Sequence, residues 1–163
     1  MTDTNNDLDL LTGGLDGEYF GVAAYGAALG TGLLSAGTAE VAKKFQGDHT
    51  QHAERIREEI RRLGGTPGES KSWEEYAAKY PPPPLASETD VLRYAVSLEQ
   101  SAAVASVASV AKYQSSELAR VAASIAGVEA MHWGALLAAL GESPVPVSFI
   151  PDPEPEARID IAS

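Results

Sequence analysis

The stretch GVEAMHWGALLAALG, residues 127–141, carries a pattern that recurs along the whole chain. Its apolar residues return every three or four positions, which is the period of one face of an α-helix and not that of a strand. Two polar side chains, Glu129 and His132, interrupt the apolar face. Because they are three residues apart, both project from the same side of the helix. A carboxylate and an imidazole are therefore expected to lie together inside the protein.

Three upstream segments show the same helical period, and each has a polar interruption near its middle. The interruptions lie at Glu18 in the first segment, at His49 and His52 in the second, and at Glu99 in the third. Glu18 precedes His49 by 31 residues and Glu99 precedes Glu129 by 30, so the second half of the chain repeats the first. An ionised carboxylate inside a bundle core is costly unless it is paired or bound to a metal. These buried polar positions therefore require a common explanation.

Capping residues and glycines predict where the helices begin and end. Thr38 is expected to cap the second helix, which ends before Gly64 and Gly65. Residues 87–90 start the third helix, and residues 115–116 mark a tight turn before the fourth. Short turns thus join the first two helices and the last two helices.

A long connection joins the two helix pairs. Pro81 to Pro84 exclude a helix there, because each proline lacks an amide donor and clashes with the preceding turn. Upstream of these prolines, Ser72 is expected to cap a short helical piece in which Trp73 and Tyr76 anchor the connection to the bundle. Two helical hairpins with one long crossover form an all-α four-helix bundle.

The composition agrees with one globular domain. A chain of 163 residues with 44% hydrophobic residues can bury one core, and we expect the bundle over residues 1–145 and an extended acidic Pro-rich tail over 146–163. The absence of cysteine excludes disulfides, cysteine-bound zinc and thiol nucleophiles. The net charge of −11 argues against a nucleic-acid or membrane partner.

Two features of the sequence bear on the location of the protein: its N-terminal segment and the uncharged stretch of residues 20–37. MTDTNNDLDL lacks the basic region of a secretory signal. Residues 20–37 are too rich in Gly, Ala, Thr and Ser for a typical membrane span, and we interpret them as a buried helix. The expected location is cytoplasmic.

On these motifs the sequence resembles the ferritin-like superfamily. It is most similar to the bacterial ferritin-like domain proteins, which include desiccation-related proteins and uncharacterised actinobacterial bundles. The resemblance covers residues 8–142. It is carried by LDGEYFGVAAY (15–25), HTQHAERIREEIRRLGGTP (49–67), RYAVSLEQS (93–101) and GVEAMHWGALLAALG (127–141). The resemblance implies a ferritin-like four-helix bundle with a long crossover between helices 2 and 3.

The resemblance also implies a metal site of the kind that uses one Glu from each of two helices and Glu-x-x-His from the other two. The matching metal ligands are Glu18, His49, His52, Glu99, Glu129 and His132, with Tyr25 and Asp48 beside them. His49 stands where the family has a glutamate. Three carboxylates leave a net positive charge with two divalent ions, which places a full di-iron carboxylate centre in doubt. A single metal, an asymmetric pair and a decayed site all stay open.

A second register of the second helix also stays open. A spacing identical to that of the second half would align Asp48 with Glu129 and Gln51 with His132. We prefer the register that points His52 inward, because the apolar positions after it keep it central. Asp48 can then supply the missing charge from the flank.

Carboxylates with imidazoles suit Fe or Mn, and Zn can occupy such a site in isolated protein. We expect oxidation of Fe(II) or Mn(II) by O₂ or peroxide, in stress response or metal homeostasis. The alternative is a metal-free structural or stress-protective dimer. An oxygenase or peroxidase would need a substrate opening, with the crossover as its lid. No catalytic side chain of the nucleophilic classes is predicted, since Gly-x-Ser-x-Gly and phosphate-binding glycine loops are absent.

Two charge-free stretches predict a homodimer. Residues 20–34 and 101–111 carry no charged side chain and contain many small residues. An apolar surface without charges is typical of a protein interface.

Overall fold

The computed structural model describes residues 4–152, and within this range the chain forms five helices and no strand. The four long helices are α1 (Thr4–Gly30), α2 (Ala36–Arg62), α4 (Glu88–Val110) and α5 (Ser116–Ala139), and the short α3 (Trp73–Lys79) lies in the crossover. The predicted all-α bundle with its long crossover is thereby confirmed.

The bundle consists of two helical hairpins. α1 packs along α2 and α4 packs along α5, and contacts of α1 with α4 and of α2 with α5 close the bundle. Its core has two apolar clusters. One contains Leu11, Leu15, Ile56, Ile60 and Leu118, among others, and the second contains Tyr25, Ala42, Phe45, Leu92 and Leu136. The polar positions of the four helices lie between these clusters.

The first turn of the bundle differs from the prediction. The N-cap of α2 is Ser35, whose hydroxyl accepts a hydrogen bond from the Thr38 amide, so the predicted cap at Thr38 is wrong. α1 also ends at Gly30, because Gly32 turns the chain with φ +71°. The predicted helical stretch of residues 20–37 is therefore interrupted by this turn.

The other helix ends follow the prediction. Ser87 and Ser115 cap α4 and α5 with their hydroxyls. Gly64 and Gly141 follow α2 and α5 with φ +81° and +77°, the left-handed conformation that favours glycine after a helix.

The crossover is attached to the bundle through α3. Ser72 caps α3 and forms a capping box with Glu75. Trp73 stacks on Phe20 of α1 with ring centroids 6.3 Å apart, and Tyr76 is buried in the core. Both aromatic anchors are as predicted.

After α5 the chain runs without helix or strand to residue 152. It packs on α5 at Gly134, where a β-carbon would lie 2.7 Å from the carbonyl oxygen of Pro144. The rest of the predicted tail, residues 153–163, lies outside the described residues, and the domain division at residue 145 stays a prediction.

One described helix, α5, is long and apolar enough to cross a membrane by length and composition. Half of its most apolar window is buried in the bundle, and the core helix of a globular protein meets the same criterion. The cytoplasmic location stays a prediction.

Candidate metal centre

The structure brings all six predicted ligands together halfway along the bundle, with contributions from each long helix. They are Glu18 of α1, His49 and His52 of α2, Glu99 of α4, and Glu129 and His132 of α5. All but His52 are buried, and Glu129 has no exposed surface at all. The helical period of each sequence segment therefore places its polar interruption in the core.

The first group of ligand atoms lies between α1, α2 and α5. His49 Nδ1 is 2.8 Å from Glu18 Oε2, and His52 Nδ1 is 3.4 Å from the same oxygen. His52 Nδ1 is also 3.0 Å from Glu129 Oε1. One atom from each of these four side chains lies within 4.8 Å of the others, a spacing that can hold a cation.

The second group lies between α2, α4 and α5 and shares two residues with the first. His49 Nε2 is 3.3 Å from Glu99 Oε1, and His132 Nδ1 is 3.3 Å from Glu99 Oε2. His132 Nδ1 is also 3.4 Å from Glu129 Oε2. Because His49 and Glu129 belong to both groups, the six side chains offer two adjacent cation positions.

Three buried ligand-type atoms have no hydrogen-bond partner. They are His52 Nδ1 and both carboxylate oxygens of Glu129. The 3.0 Å approach of His52 Nδ1 to Glu129 is close enough for an ion pair but lacks the angles of a hydrogen bond. Buried polar atoms are almost always partnered in native proteins. A cation between the two side chains would satisfy all three atoms, so the donor set fits a metal.

The charges of the cluster are strongly coupled. Burial alone would lower the pKa of His52 and His132, but the nearby carboxylates outweigh it and raise the pKa of both to about 9. Glu129 and Glu18 act on His52, and Glu129 and Glu99 act on His132. Burial alone would raise the pKa of Glu18 and Glu99, but the histidines lower it. Without metal the cluster therefore holds ionised Glu18 and Glu99 beside protonated imidazoles, and a metal ion would displace the imidazole protons.

His49 connects the two hairpins through both nitrogens of its ring. Its ring links Glu18 of α1 to Glu99 of α4, and burial and these carboxylates act on it in opposite directions, leaving its pKa well above the ordinary value. The ring lies directly against Gly21, where a β-carbon would be 2.8 Å from Nδ1. Gly21 therefore makes room for the imidazole.

Tyr25 and Asp48 contact the cluster from outside. The Tyr25 hydroxyl donates a hydrogen bond to Glu99 Oε1. Burial and the charge of Glu99 raise the pKa of Tyr25, which keeps the donor proton in place. Asp48 Oδ2 lies 3.1 Å from His132 Nε2 and also pairs with Lys44. A carboxylate on the outer nitrogen of a metal-binding histidine typically orients the ring.

Three neighbours of the cluster were not predicted: Gly21, Lys44 and Phe45. Phe45 stacks on His132 with ring centroids 3.8 Å apart. Gly21 follows Glu18 by three residues, and a glycine inside a helix was the one signal that pointed to a close contact. Gln51 is exposed, so the observed register is the one with His49 and His52 inward.

The comparisons with known proteins agree with the fold. The fold is similar to the crystal structure of a conserved hypothetical protein from Mycobacterium tuberculosis, with a TM-score of 0.73 and 20% sequence identity over 89% of this chain and 97% of the other. No curated protein matches the chain. Residues 6–142 match the ferritin-like domain family, over most of the bundle and all six candidate ligands. The chain therefore belongs to the ferritin-like domain family.

Proposed function

We propose that this protein binds Fe or Mn at the six-residue cluster and oxidises Fe(II) or Mn(II) with O₂ or peroxide, in stress response or metal homeostasis. The observation that carries the proposal is the set of unpartnered atoms on His52 and Glu129 inside the buried cluster. A purely structural network would leave these atoms unsatisfied at a cost in stability.

The donor chemistry supports Fe or Mn. Three carboxylates and three imidazoles are hard and borderline ligands, which suit these ions, and Zn can occupy the same donors in purified protein. Three glutamates do not neutralise two divalent ions. Asp48 adds a fourth negative charge at the edge of the cluster, but it already pairs with Lys44. The charge balance thus favours one tightly held ion and a second, weaker one.

The side chains have distinct roles in this proposal. Glu129 faces both cation positions, and His49 separates them while contacting Glu18 and Glu99. Asp48 orients His132 from outside. A bound redox-active ion supplies electron transfer to the oxidant, and the buried apolar clusters on both sides keep bulk water from the site.

Metal analysis of two matched variants tests the proposal. Glu99→Gln removes one charge from the cluster, and Glu59→Gln removes one from a carboxylate that is equally buried but pairs with Arg55 and Arg62 outside it. Each protein is loaded anaerobically with Fe(II), desalted and analysed for iron, and its absorbance is followed on exposure to air. We expect the wild type and Glu59→Gln to retain iron and change colour, and Glu99→Gln to lose most of its iron with unchanged helical content. Equal iron in all three proteins would overturn the proposal.

A second candidate is a metal-free, stress-protective bundle. It is favoured by the fact that Glu18, Glu99, His49 and His132 already pair with one another. Absence of bound metal from the wild type, both as purified and after loading, would make this candidate the better one.

A further inference from the structure

An apolar cavity lies next to the metal centre at one end of the bundle. Its volume is about 630 Å³, and it is bounded by the C-terminal ends of α1 and α5, the N-terminal ends of α2 and α4, and the crossover. We propose that this cavity binds a neutral small molecule with an apolar body and one uncharged polar group, such as a long-chain alcohol. The proposal does not rest on the metal-dependent function.

Small residues on all four long helices create the space. Ala28, Ala42, Ala95 and Ala139 face the cavity from α1, α2, α4 and α5 in turn. Protein interiors are normally packed to the density of organic crystals. If this region were part of an ordinary core, larger side chains would fill it in place of the alanines. A volume of several hundred Å³ with apolar walls is typical of small-molecule sites.

The lining determines the charge of the ligand. None of the described residues that line the cavity is charged. Burying a carboxylate or an ammonium group there without a partner would be costly. The net charge of −11 further disfavours an anion. The Tyr94 hydroxyl is buried, belongs to a residue that lines the cavity and has no hydrogen-bond partner, so it can hydrogen-bond an uncharged polar group.

The inner wall of the cavity consists of side chains that contact the metal centre. Tyr25 lines the cavity and donates its hydroxyl to Glu99, and Phe45 lines it and stacks on His132. The two rings pack edge to face with centroids 5.9 Å apart. A bound molecule would therefore place its apolar body against these rings and its polar group toward the Tyr94 hydroxyl.

The crossover favours a small molecule over a second protein chain as the occupant. Trp73, Pro82, Pro83 and Leu85 line the cavity from the crossover side. These residues cover part of the cavity opening between the hairpins, so the surface of another protein has little room to enter. A flexible chain-like molecule can still enter.

Displacement of a neutral fluorescent probe tests the proposal. The protein as purified, with and without prior chelation, is titrated with N-phenyl-1-naphthylamine, and 1-dodecanol, dodecanoate and dodecylammonium then compete for the probe. We expect saturable binding of one probe per chain, and displacement by the alcohol at concentrations about tenfold or more below those of the two ions, because a buried unpaired charge is costly. Binding that persists after chelation separates this proposal from the metal-dependent function.

Matched variants locate the binding site. Ala95→Leu and Ala28→Leu each add a larger side chain to the cavity wall, whereas Ala123→Leu makes the same change at an exposed position of α5 outside the cavity. We expect either filling variant to weaken probe binding by about tenfold, because the larger side chain occupies the space of the probe, and Ala123→Leu to bind like the wild type. The proposal is overturned if the probe does not bind saturably, or if a folded filling variant binds it like the wild type. It is also overturned if sedimentation experiments show that dimerisation of the chain releases the probe, because a second copy of the chain would then occupy the cavity.

Discussion

The contact between His49 and Gly21 is the most specific single-residue feature of the cluster. A side chain at position 21 would meet the ring of His49 at 2.8 Å, so the ring and its bonds to Glu18 and Glu99 depend on the missing β-carbon. The histidine at position 49 is thus accommodated by a glycine on the facing helix.

Gly21→Ala should therefore weaken metal binding without weakening the helix. Alanine favours a helix over glycine by about 1 kcal/mol, but its β-carbon must displace the His49 ring. Gly17→Ala is the matched control, because nothing lies within 4 Å of a β-carbon there. Titration with Fe(II) or Zn(II) and urea unfolding of both variants measure the two effects. Identical metal affinity in the two variants would show that the position of His49 does not matter.

The histidines predict how stability depends on pH in the metal-free protein. The pKa of His52 and His132 is about 9 in the folded chain, against an ordinary value of 6.5. Since the folded state binds these protons more tightly, their stabilising contribution is complete below pH 6.5 and is lost as the pH rises to about 9. Urea unfolding in the presence of a chelator should show the midpoint falling across this interval.

Metal loading should reverse that trend. Metal ions compete with protons for the imidazoles, so metal affinity and metal-induced stabilisation should rise with pH over the same interval. A midpoint that stays constant between pH 6.5 and pH 9 in the metal-free protein would contradict the charge state described for His52 and His132.

At the scale of the elements, the turn between α1 and α2 sets where the second helix starts. Ser35 has an extended backbone and accepts the amide proton of Thr38, while the Thr38 hydroxyl lies 3.0 Å from that of Ser35. The N-cap of α2 is thus Ser35, three positions before Thr38, which the sequence pattern indicated.

Ser35→Ala should destabilise the protein by about 1 kcal/mol, because the first turn of α2 loses its cap. Thr38→Ala should cost less, since the backbone amide that Ser35 accepts from remains present. Urea unfolding of the two variants compares them directly. A larger loss for Thr38→Ala would show that the hydroxyl of Thr38, rather than that of Ser35, supports the helix end.

At the scale of the whole molecule, a charge-free surface on α4 bears on the predicted homodimer. Residues 101–111 of α4 carry no charge, and Ala105 and Val107 are exposed on this helix. We propose that this surface contacts a second copy, since an exposed apolar face without charges is typical of an interface.

Val107→Lys should convert the dimer to a monomer, because it places a charge in the proposed interface. Thr50→Lys adds the same charge at an exposed position of α2 and should leave the dimer intact. Analytical ultracentrifugation of the two variants and the wild type measures the oligomeric state of each protein. A wild-type chain that sediments as a monomer at all concentrations would rule out the homodimer.

The helical period in the sequence was sufficient to predict the bundle and to place six polar side chains on its inner faces. This succeeded because the period is a local property: the steps from Leu15 to Glu18 and from Glu129 to His132 already fix which side of a helix these residues share. The helix ends were predictable for the same reason, because a cap or a terminating glycine acts within a few residues of its own helix. Examples are Gly64 after α2 and the caps Ser72, Ser87 and Ser115.

The pairing of side chains across the bundle was decided only by the tertiary structure. Tyr25 meets Glu99 across 74 residues, Asp48 meets His132 across 84, and the His49 ring rests on Gly21. These contacts depend on how far each helix is rotated and shifted against its neighbours, which the packing of the two apolar clusters determines together. The cavity beside the centre has the same origin, because four alanines leave a space only when four separate helices bring them to one place.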